Sequence, residues 1–341
     1  MLYRAVRPLL FALDPEAAHD FSLKSLDALN CLGAVSLAAA ALPHIPVRVL
    51  GLDFPNPVGL AAGLDKDGEH VDALAALGFG FLEIGAVTPR PQPGNPKPRV
   101  FRLPEAEALI NRLGFNSRGL DAVVENLRRS RYRGILGVNI GKNFDTANER
   151  ASEDYLACLR KLHPYASFVT VNVSSPNTKN LRNLQQPGEL DLLLAALGAE
   201  RDRLAERHGR RVPLAVKIAP DLDDAGIEAV AGCVASRGID AVIATNTTLS
   251  REGVEHLPAS REPGGLSGAP LKARATAVVA RLRRALPAKV AIIGVGGIAS
   301  AADAREKLDA GADLVQLYTA LVYRGPGLVG EIVRGLAGAP R

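Results

Sequence analysis

The chain has 341 residues, 47% of them hydrophobic, which allows one large globular domain or two modest ones with ample core. Lys and Arg total 41 against 36 Asp and Glu, a net charge of +5 spread along the chain, and aromatics are 4%; without a dense basic run, nucleic-acid binding is not indicated. Cys31, Cys158 and Cys233 lie far apart without metal-ligand spacing, so neither a disulfide framework nor a metal centre is expected.

Residues 1–45 stand apart from the rest. Leu2, Val6, Leu9, Leu10 and Leu13 fall near helical spacing beside Arg4 and Arg7. Asp14-Pro15-Glu16 then reads as an N-cap with Pro at the first helical position, opening a helix that carries Phe21, Leu23, Leu26 and Leu29. An Ala- and Leu-rich stretch, Cys31 to Leu42, closes at Pro43; it is too short to span a bilayer and follows charged sequence, unlike a secretory signal. Two short amphipathic helices of this kind form either a cap packed on the core or a basic element lying on a membrane surface. The pattern by itself favours the cap slightly.

From Val47 the grammar becomes strand, loop, helix, repeated. Val47–Leu50 and Leu52–Phe54 predict a small hairpin, and residues 46–341 then form the main domain. Strands are expected within Asn56–Gly63, Phe81–Gly85, Gly134–Asn139, Phe168–Asn172, Pro213–Ile218, Asp240–Thr245, Val290–Gly294 and Asp313–Leu317. Helices are expected at about 67–77, 117–129, 151–162, 188–207, 223–236, 270–285, 300–310 and 326–337. A Pro-rich loop from Thr88 to Pro104 and a Gly-rich loop before residue 270 interrupt the rhythm. Strands alternating with helices in this number predict an α/β fold, a (β/α)₈ TIM barrel with a small N-terminal helical extension.

Such a barrel builds its site from the C-terminal ends of its strands. Those ends carry Gly63, Asp65 and Lys66; Ala86 and Thr88; Asn139; Asn172, Ser175 and Asn177; Lys217; Thr245 and Asn246; Gly296 and Gly297; and Tyr318 and Thr319. Amides and two lysines suit a planar, hydrogen-bonding, anionic ligand better than a metal, because no His/Asp/Glu cluster appears. Gly294-Val-Gly-Gly-Ile298 feeds a helix starting near Ser300, and its backbone N–H groups with that helix N-terminus predict an anion cradle. Gly264-Gly-Leu-Ser-Gly268 would add a flexible lip. A phosphorylated cofactor such as FMN fits there.

Five motifs carry a family resemblance: Ala61-Ala-Gly-Leu-Asp-Lys-Asp67, Thr88-Pro-Arg-Pro-Gln-Pro-Gly-Asn95, Asn111-Arg-Leu-Gly-Phe-Asn116, Asn172-Val-Ser-Ser-Pro-Asn177 and Gly294-Val-Gly-Gly-Ile298. Together they resemble dihydroorotate dehydrogenase over the whole chain. Ser175 as base, where the soluble class carries Cys, and the N-terminal helices are similar to the quinone-linked, membrane-associated class. The resemblance implies oxidation of dihydroorotate to orotate in pyrimidine synthesis, with FMN as cofactor, a membrane quinone as acceptor and no metal. Residues 1–45 would then associate with the membrane and admit quinone, placing a peripheral protein, expected to be a monomer, at the cytoplasmic face of the inner membrane.

By the same resemblance Ser175 is catalytic, and Lys66 pairs with the substrate carboxylate. Asn111, Asn172, Asn177 and Asn246 hold the pyrimidine, with Arg112, Leu113, Gly114, Phe115 and Thr247 lining it. The flavin would meet Ala62, Gly63, Leu64, Asp65, Lys66, Ala86, Asn139, Asn172, Lys217, Thr245, Gly268, Gly297, Tyr318 and Thr319, and the quinone would meet His19 and Arg102. Ala86 departs from the pattern, since relatives tend to carry Thr or Ser there. A serine hydroxyl is a poor base at neutral pH, so Ser175 requires an acceptor beyond it that the sequence does not reveal. Three rivals stand behind this reading: a Schiff-base barrel using Lys217, a flavin barrel acting on RNA uracil, and a non-catalytic membrane-surface scaffold.

Overall fold

A parallel strand lined by side chains on one face and helices on the other has to be apolar on both. Eight such strands close into a barrel in the computed structural model, which describes residues 2–35 and 42–338. They are Val58–Leu60, Phe81–Val87, Ile135–Ile140, Phe168–Asn172, Leu214–Ile218, Ala241–Ala244, Ala291–Val295 and Leu314–Leu317. Each is parallel to the next in sequence, and the eighth closes on the first through Val315↔Val58 and Leu317↔Leu60. The expected TIM barrel is therefore present.

Alternation along each strand decides what the barrel encloses. On the fourth strand Val169 and Val171 join the core shared with the helices, while Phe168 belongs to the barrel interior. Phe81 and Phe168 fill the lower barrel with ring centroids 6.1 Å apart. Phe54, from the hairpin Val47–Val49 and Leu52–Phe54, plugs the floor 5.2 Å from Phe81. Glycines on neighbouring strands make room for these rings: a Cβ on Gly59 would lie 2.3 Å from Phe81, and one on Gly137 2.2 Å from Phe168. With the floor apolar, the same parity directs Asn139, Asn172, Lys217 and Gln316 into the upper barrel; Asn172 and Lys217 stand side by side in register.

Several elements differ from expectation. The helix expected over 67–77 is only Val71–Ala75, because the Asp65 carboxylate accepts the N–H groups of Glu69 at 3.0 Å and His70 at 2.9 Å and ties the preceding residues into a turn. The two irregular loops are not structureless. Val100–Leu103 pairs antiparallel with Ala108–Asn111, which pairs with Gly265–Gly268. This three-stranded sheet has its own small core around Leu103, Ile110, Val254 and Leu266. A further helix, Thr319–Arg324, follows the eighth strand directly.

Helix α1 (Leu2–Ala12) and helix α2 (Pro15–Cys31) form the extension, and Asp14 Oδ1 caps α2 by accepting the N–H groups of Glu16 and Ala17 at 3.0 Å. Residues 36–41, half of the Ala- and Leu-rich stretch before Pro43, lie outside the described residues. Helix α2 packs on Val71–Ala75 and on Val100–Leu103, and α1 packs on Thr319–Arg324. The pair thus caps the barrel with one face, yet Leu9 (72% exposed), Phe21 (58%) and Leu32 (81%) leave a second apolar face uncovered. Among the described residues no helix is long and apolar enough to cross a membrane.

Candidate active site

The C-terminal mouth of the barrel opens into a cavity. Its foundation is a polar network set by one buried carboxylate. Glu83, on the second strand and fully buried, accepts hydrogen bonds from Asn139 Nδ2 at 2.8 Å and from Gln316 Nε2. Asn139 Oδ1 in turn accepts from Asn172 Nδ2 at 3.0 Å, and Asn172 Oδ1 takes Ser174 Oγ at 3.2 Å and Asn246 Nδ2 at 3.4 Å. A carboxylate only accepts, so it fixes which end of each amide points where. Lys217 is buried beside this network; desolvation pushes its ammonium below the ordinary range and Glu83 opposes that.

Above the floor, Ser175 stands in the turn that Pro176 forces after the fourth strand. It is 6% exposed, and its Oγ accepts the Asn177 N–H at 3.2 Å. Among the described residues no carboxylate or imidazole bonds that hydroxyl. Asn177 Nδ2 donates to Asn111 Oδ1 at 3.1 Å, joining the fourth-strand turn to the end of the small sheet. Lys66 closes the side wall, its Nζ donating to Asn116 Oδ1 at 2.7 Å. Burial, and then the nearby Arg99 charge, bring its ammonium down to about 8.

At the far end Gly296 and Gly297 turn at φ of +113° and +72°, which favours glycine. A Cβ on Gly297 would lie 2.5 Å from Lys272 Cα, so the turn is pressed against the start of the helix Lys272–Ala285. At the start of the helix after the seventh strand, part of the expected anion cradle, two N–H groups are already taken. Ser300 Oγ accepts the Asp303 N–H at 3.1 Å and Asp303 accepts the Ala299 N–H at 3.0 Å, so its own side chains cap it. The N–H groups of Gly296 and Gly297 have no protein acceptor among the described residues and face the cavity. Thr247 Oγ1 and Gln316 Oε1, also on the cavity, are buried without a partner. Free backbone donors at one end, orphaned polar atoms at the centre and a buried ammonium below them fit FMN with a small polar ring beside it.

The cavity brings together Lys66, Asn111, Leu113, Gly114, Phe115, Asn172, Ser175, Asn177, Asn246 and Thr247 from the substrate set. From the flavin set it adds Ala62, Gly63, Ala86, Lys217, Thr245, Gly268, Gly297, Tyr318 and Thr319. Four side chains point elsewhere. Arg112 pairs with Glu262 at 2.7 Å and stacks on Phe101; Leu64 joins the outer core; Asp65 holds the turn below Lys66; and Asn139 lies one layer beneath, under Asn172. His19 and Arg102 lie on the seam with the extension. Burial pushes the His19 imidazole below its ordinary range and it reaches the backbone of Leu64, while Arg102 donates to Phe11 O at 3.1 Å and Leu13 O at 2.9 Å.

Sequence reading missed Glu83 and Gln316 of the network, and noted Ser174 only as a polar residue at the end of the fourth strand. A signal existed: an acidic residue inside the apolar run Phe81-Leu-Glu-Ile-Gly85 is costly to bury unless paired. Asn95 and Asn116, which brace the mouth, had no periodic signal because they sit in irregular chain.

Among known proteins, the family model for dihydroorotate dehydrogenase matches residues 44–339. "Dihydroorotate dehydrogenase (quinone)" of Nitrosospira multiformis is 60% identical over 339 residues, covering 99% of this chain and 97% of the relative. The protein of the same name from Chromobacterium violaceum is 61% identical over 337 residues, covering 99% and 98%. The solved structure of DHODH from Eimeria tenella in complex with ferulenol superposes with a TM-score of 0.85 at 39% identity, covering 95% of this chain and 91% of that one. From strand ends to full-length likeness the same conclusion follows: the chain belongs to the dihydroorotate dehydrogenase family.

Proposed function

We propose that this chain oxidises dihydroorotate to orotate in pyrimidine synthesis, with one FMN as resident cofactor and a membrane quinone as final acceptor. The observation that carries this is the grouping of Ser175, Lys66 and the amides of Asn111, Asn172, Asn177 and Asn246 around one cavity at the barrel mouth. Bound FMN supplies a hydride acceptor for the substrate and, once reduced, an electron donor for the quinone. The chain's own residues do the rest. Lys66 pairs with the substrate carboxylate, and the four asparagines donate to and accept from the ring amides. Ser175 Oγ takes the C5 proton as hydride leaves C6, its own hydroxyl proton passing to a water beyond it, and the Asn177 N–H at 3.2 Å supports the charge that departing proton leaves on the oxygen. Lys217 would stabilise negative charge on the reduced flavin, and the Gly296 and Gly297 N–H groups would hold its phosphate.

Residues 1–45 serve as the membrane-associating, quinone-admitting extension and residues 46–341 as the catalytic barrel. The uncovered apolar face of Val6, Leu9, Leu13, Phe21, Leu29 and Leu32 supports peripheral attachment at the cytoplasmic face of the inner membrane. Quinone enters along the seam that holds His19 and Arg102 and leads toward Tyr318. On this reading the chain acts as a monomer. The test is the visible spectrum of protein purified in mild detergent. Dihydroorotate added without oxygen should bleach an oxidised flavin band, and a quinone should restore it. Ser175→Ala should slow bleaching by at least about 100-fold while FMN stays bound. A protein that takes up no flavin, or one whose flavin only NAD or fumarate reoxidises, refutes the scheme.

A further inference from the structure

The anion site is braced from outside the barrel. Asn95, in the Pro-rich arm, donates from its N–H to Leu113 O at 3.0 Å, and its Nδ2 reaches Arg112 O at 2.8 Å and Asn177 O at 3.2 Å. One side chain thereby holds both the Asn111–Phe115 segment and the turn carrying Ser175. The fit is close: a Cβ on Gly114 would lie 2.8 Å from the Asn95 amide. Asn95 is held in turn by Arg99, whose Nη1 donates to Pro93 O at 2.6 Å and Asn95 O at 2.9 Å. The other side of the guanidinium forks onto the carboxylate of Glu16, with Nε at 3.0 Å and Nη2 at 2.8 Å. Arg99 is 6% exposed, and Glu16 belongs to helix α2.

The same pair faces Lys66. The charged and titratable groups around that ammonium are Arg99 from the arm, Glu16, Asp20 and His19 from α2, and Asp67 from its own loop. Arg99 disfavours the protonated lysine, and Glu16 favours it. A buried Arg without its carboxylate would act on Lys66 unscreened.

We propose that Glu16 and Arg99 are positioning residues of the anion site, which makes α2 a working wall of that site: Arg99 fixes the Asn95 arm and Glu16 screens Arg99 from Lys66. This rests on the reading of Lys66 as the contact for the substrate carboxylate. A consequence is reciprocal coupling. Whatever lifts α2 weakens substrate binding, and bound substrate resists the lifting.

The test uses the holoprotein and two readouts. Pulsed acylation of Lys66, read by mass spectrometry across pH without substrate, gives the midpoint of its titration. Glu16→Gln should lower that midpoint and Arg99→Leu should raise it, each by about half a pH unit or more. Arg99→Lys, which keeps charge but loses the fork, should leave the midpoint near wild type while loosening the arm. In anaerobic bleaching by dihydroorotate, Glu16→Gln should raise half-saturation several-fold at pH 8 and little at pH 6.5, with the limiting rate nearly kept, and Glu16→Asp should restore it in part. Midpoints that coincide across the variants, or that shift in one direction for both Glu16→Gln and Arg99→Leu, overturn the proposal. Should wild-type flavin fail to bleach, the functional reading falls, while the acylation midpoints still decide this one.

Discussion

Replacing Glu83 tests whether one buried carboxylate organises the site. Glu83→Met keeps roughly the same volume and removes both acceptors, leaving Asn139 Nδ2 and Gln316 Nε2 without the partner they now share. Each orphaned buried donor costs about 1–3 kcal/mol, so the pair costs about 2–4 kcal/mol after partial relaxation. At about 2.1 cal/mol/K per residue the chain carries an unfolding entropy of about 0.7 kcal/mol/K, and the melting midpoint should fall by about 3–6 °C. Glu83→Gln should be milder. Gln316 can turn its unpartnered Oε1 toward the new NH₂ group, so the network survives with one amide reversed. What Glu83→Gln does remove is the charge that opposes the downward push on Lys217. Differential scanning calorimetry of the FMN-loaded protein, with orotate titration alongside, separates the two. Glu83→Met should lose both thermal stability and orotate affinity, because Asn139 no longer orients Asn172. Equal losses in both variants, or a shift under about 1 °C for Glu83→Met, would refute the argument.

Other outcomes follow from single contacts. Gly297→Ala places a methyl group 2.5 Å from Lys272 Cα at a φ of +72°, so FMN dissociation, followed by recovery of flavin fluorescence, should be at least about 10-fold easier. Lys66 must be protonated to pair with an anion and titrates at about 8, so orotate affinity should be full well below that pH and fall as pH rises through it. Isothermal titration that finds affinity flat from pH 7 to 9 would contradict this. Arg102→Leu removes donors from Leu13 O and Phe11 O and a cation stacked 4.7 Å above the Phe11 ring. Hydrogen exchange should then quicken over α1 and remain unchanged in the barrel strands.

What the sequence made legible was whatever repeats. Each barrel strand is a largely apolar run with polar residues at or just beyond its C-terminal end, and on Phe168–Asn172 that pattern matched the bounds and the functional end together. Asp14-Pro15 marked the start of α2 because a cap and a fixed φ are local chemistry. The irregular parts were hidden for the opposite reason. The strands Val100–Leu103 and Gly265–Gly268 lie more than 150 residues apart, and each is too short and too close to Pro or Gly to announce itself. Both pair with Ala108–Asn111, and the small core that joins all three strands lies in no local window.

The site divides along the same line, and the division says how it works. Residues that meet the cavity from strand ends were readable because the barrel fixes them by parity: Asn172, Lys217 and Asn246 need only the strand to be a strand. Residues that fix the orientation of those groups were not readable, because they act across the sequence. Glu83 reaches Asn139 and Gln316 from a different strand, Asn95 braces Asn177 over 82 positions, and Glu16 holds Arg99 over 83. A barrel mouth can display amides without these supports, but each amide could then turn end for end and donate where it should accept. Glu83, an acceptor of fixed sense below, removes that freedom for Asn139 and through it Asn172, while the guanidinium of Arg99 at the side holds backbone carbonyls of the arm. If the proposed roles hold, substitutions at Glu83 and Arg99, which do not line the cavity, should disturb chemistry at this mouth as substitutions of the lining side chains do.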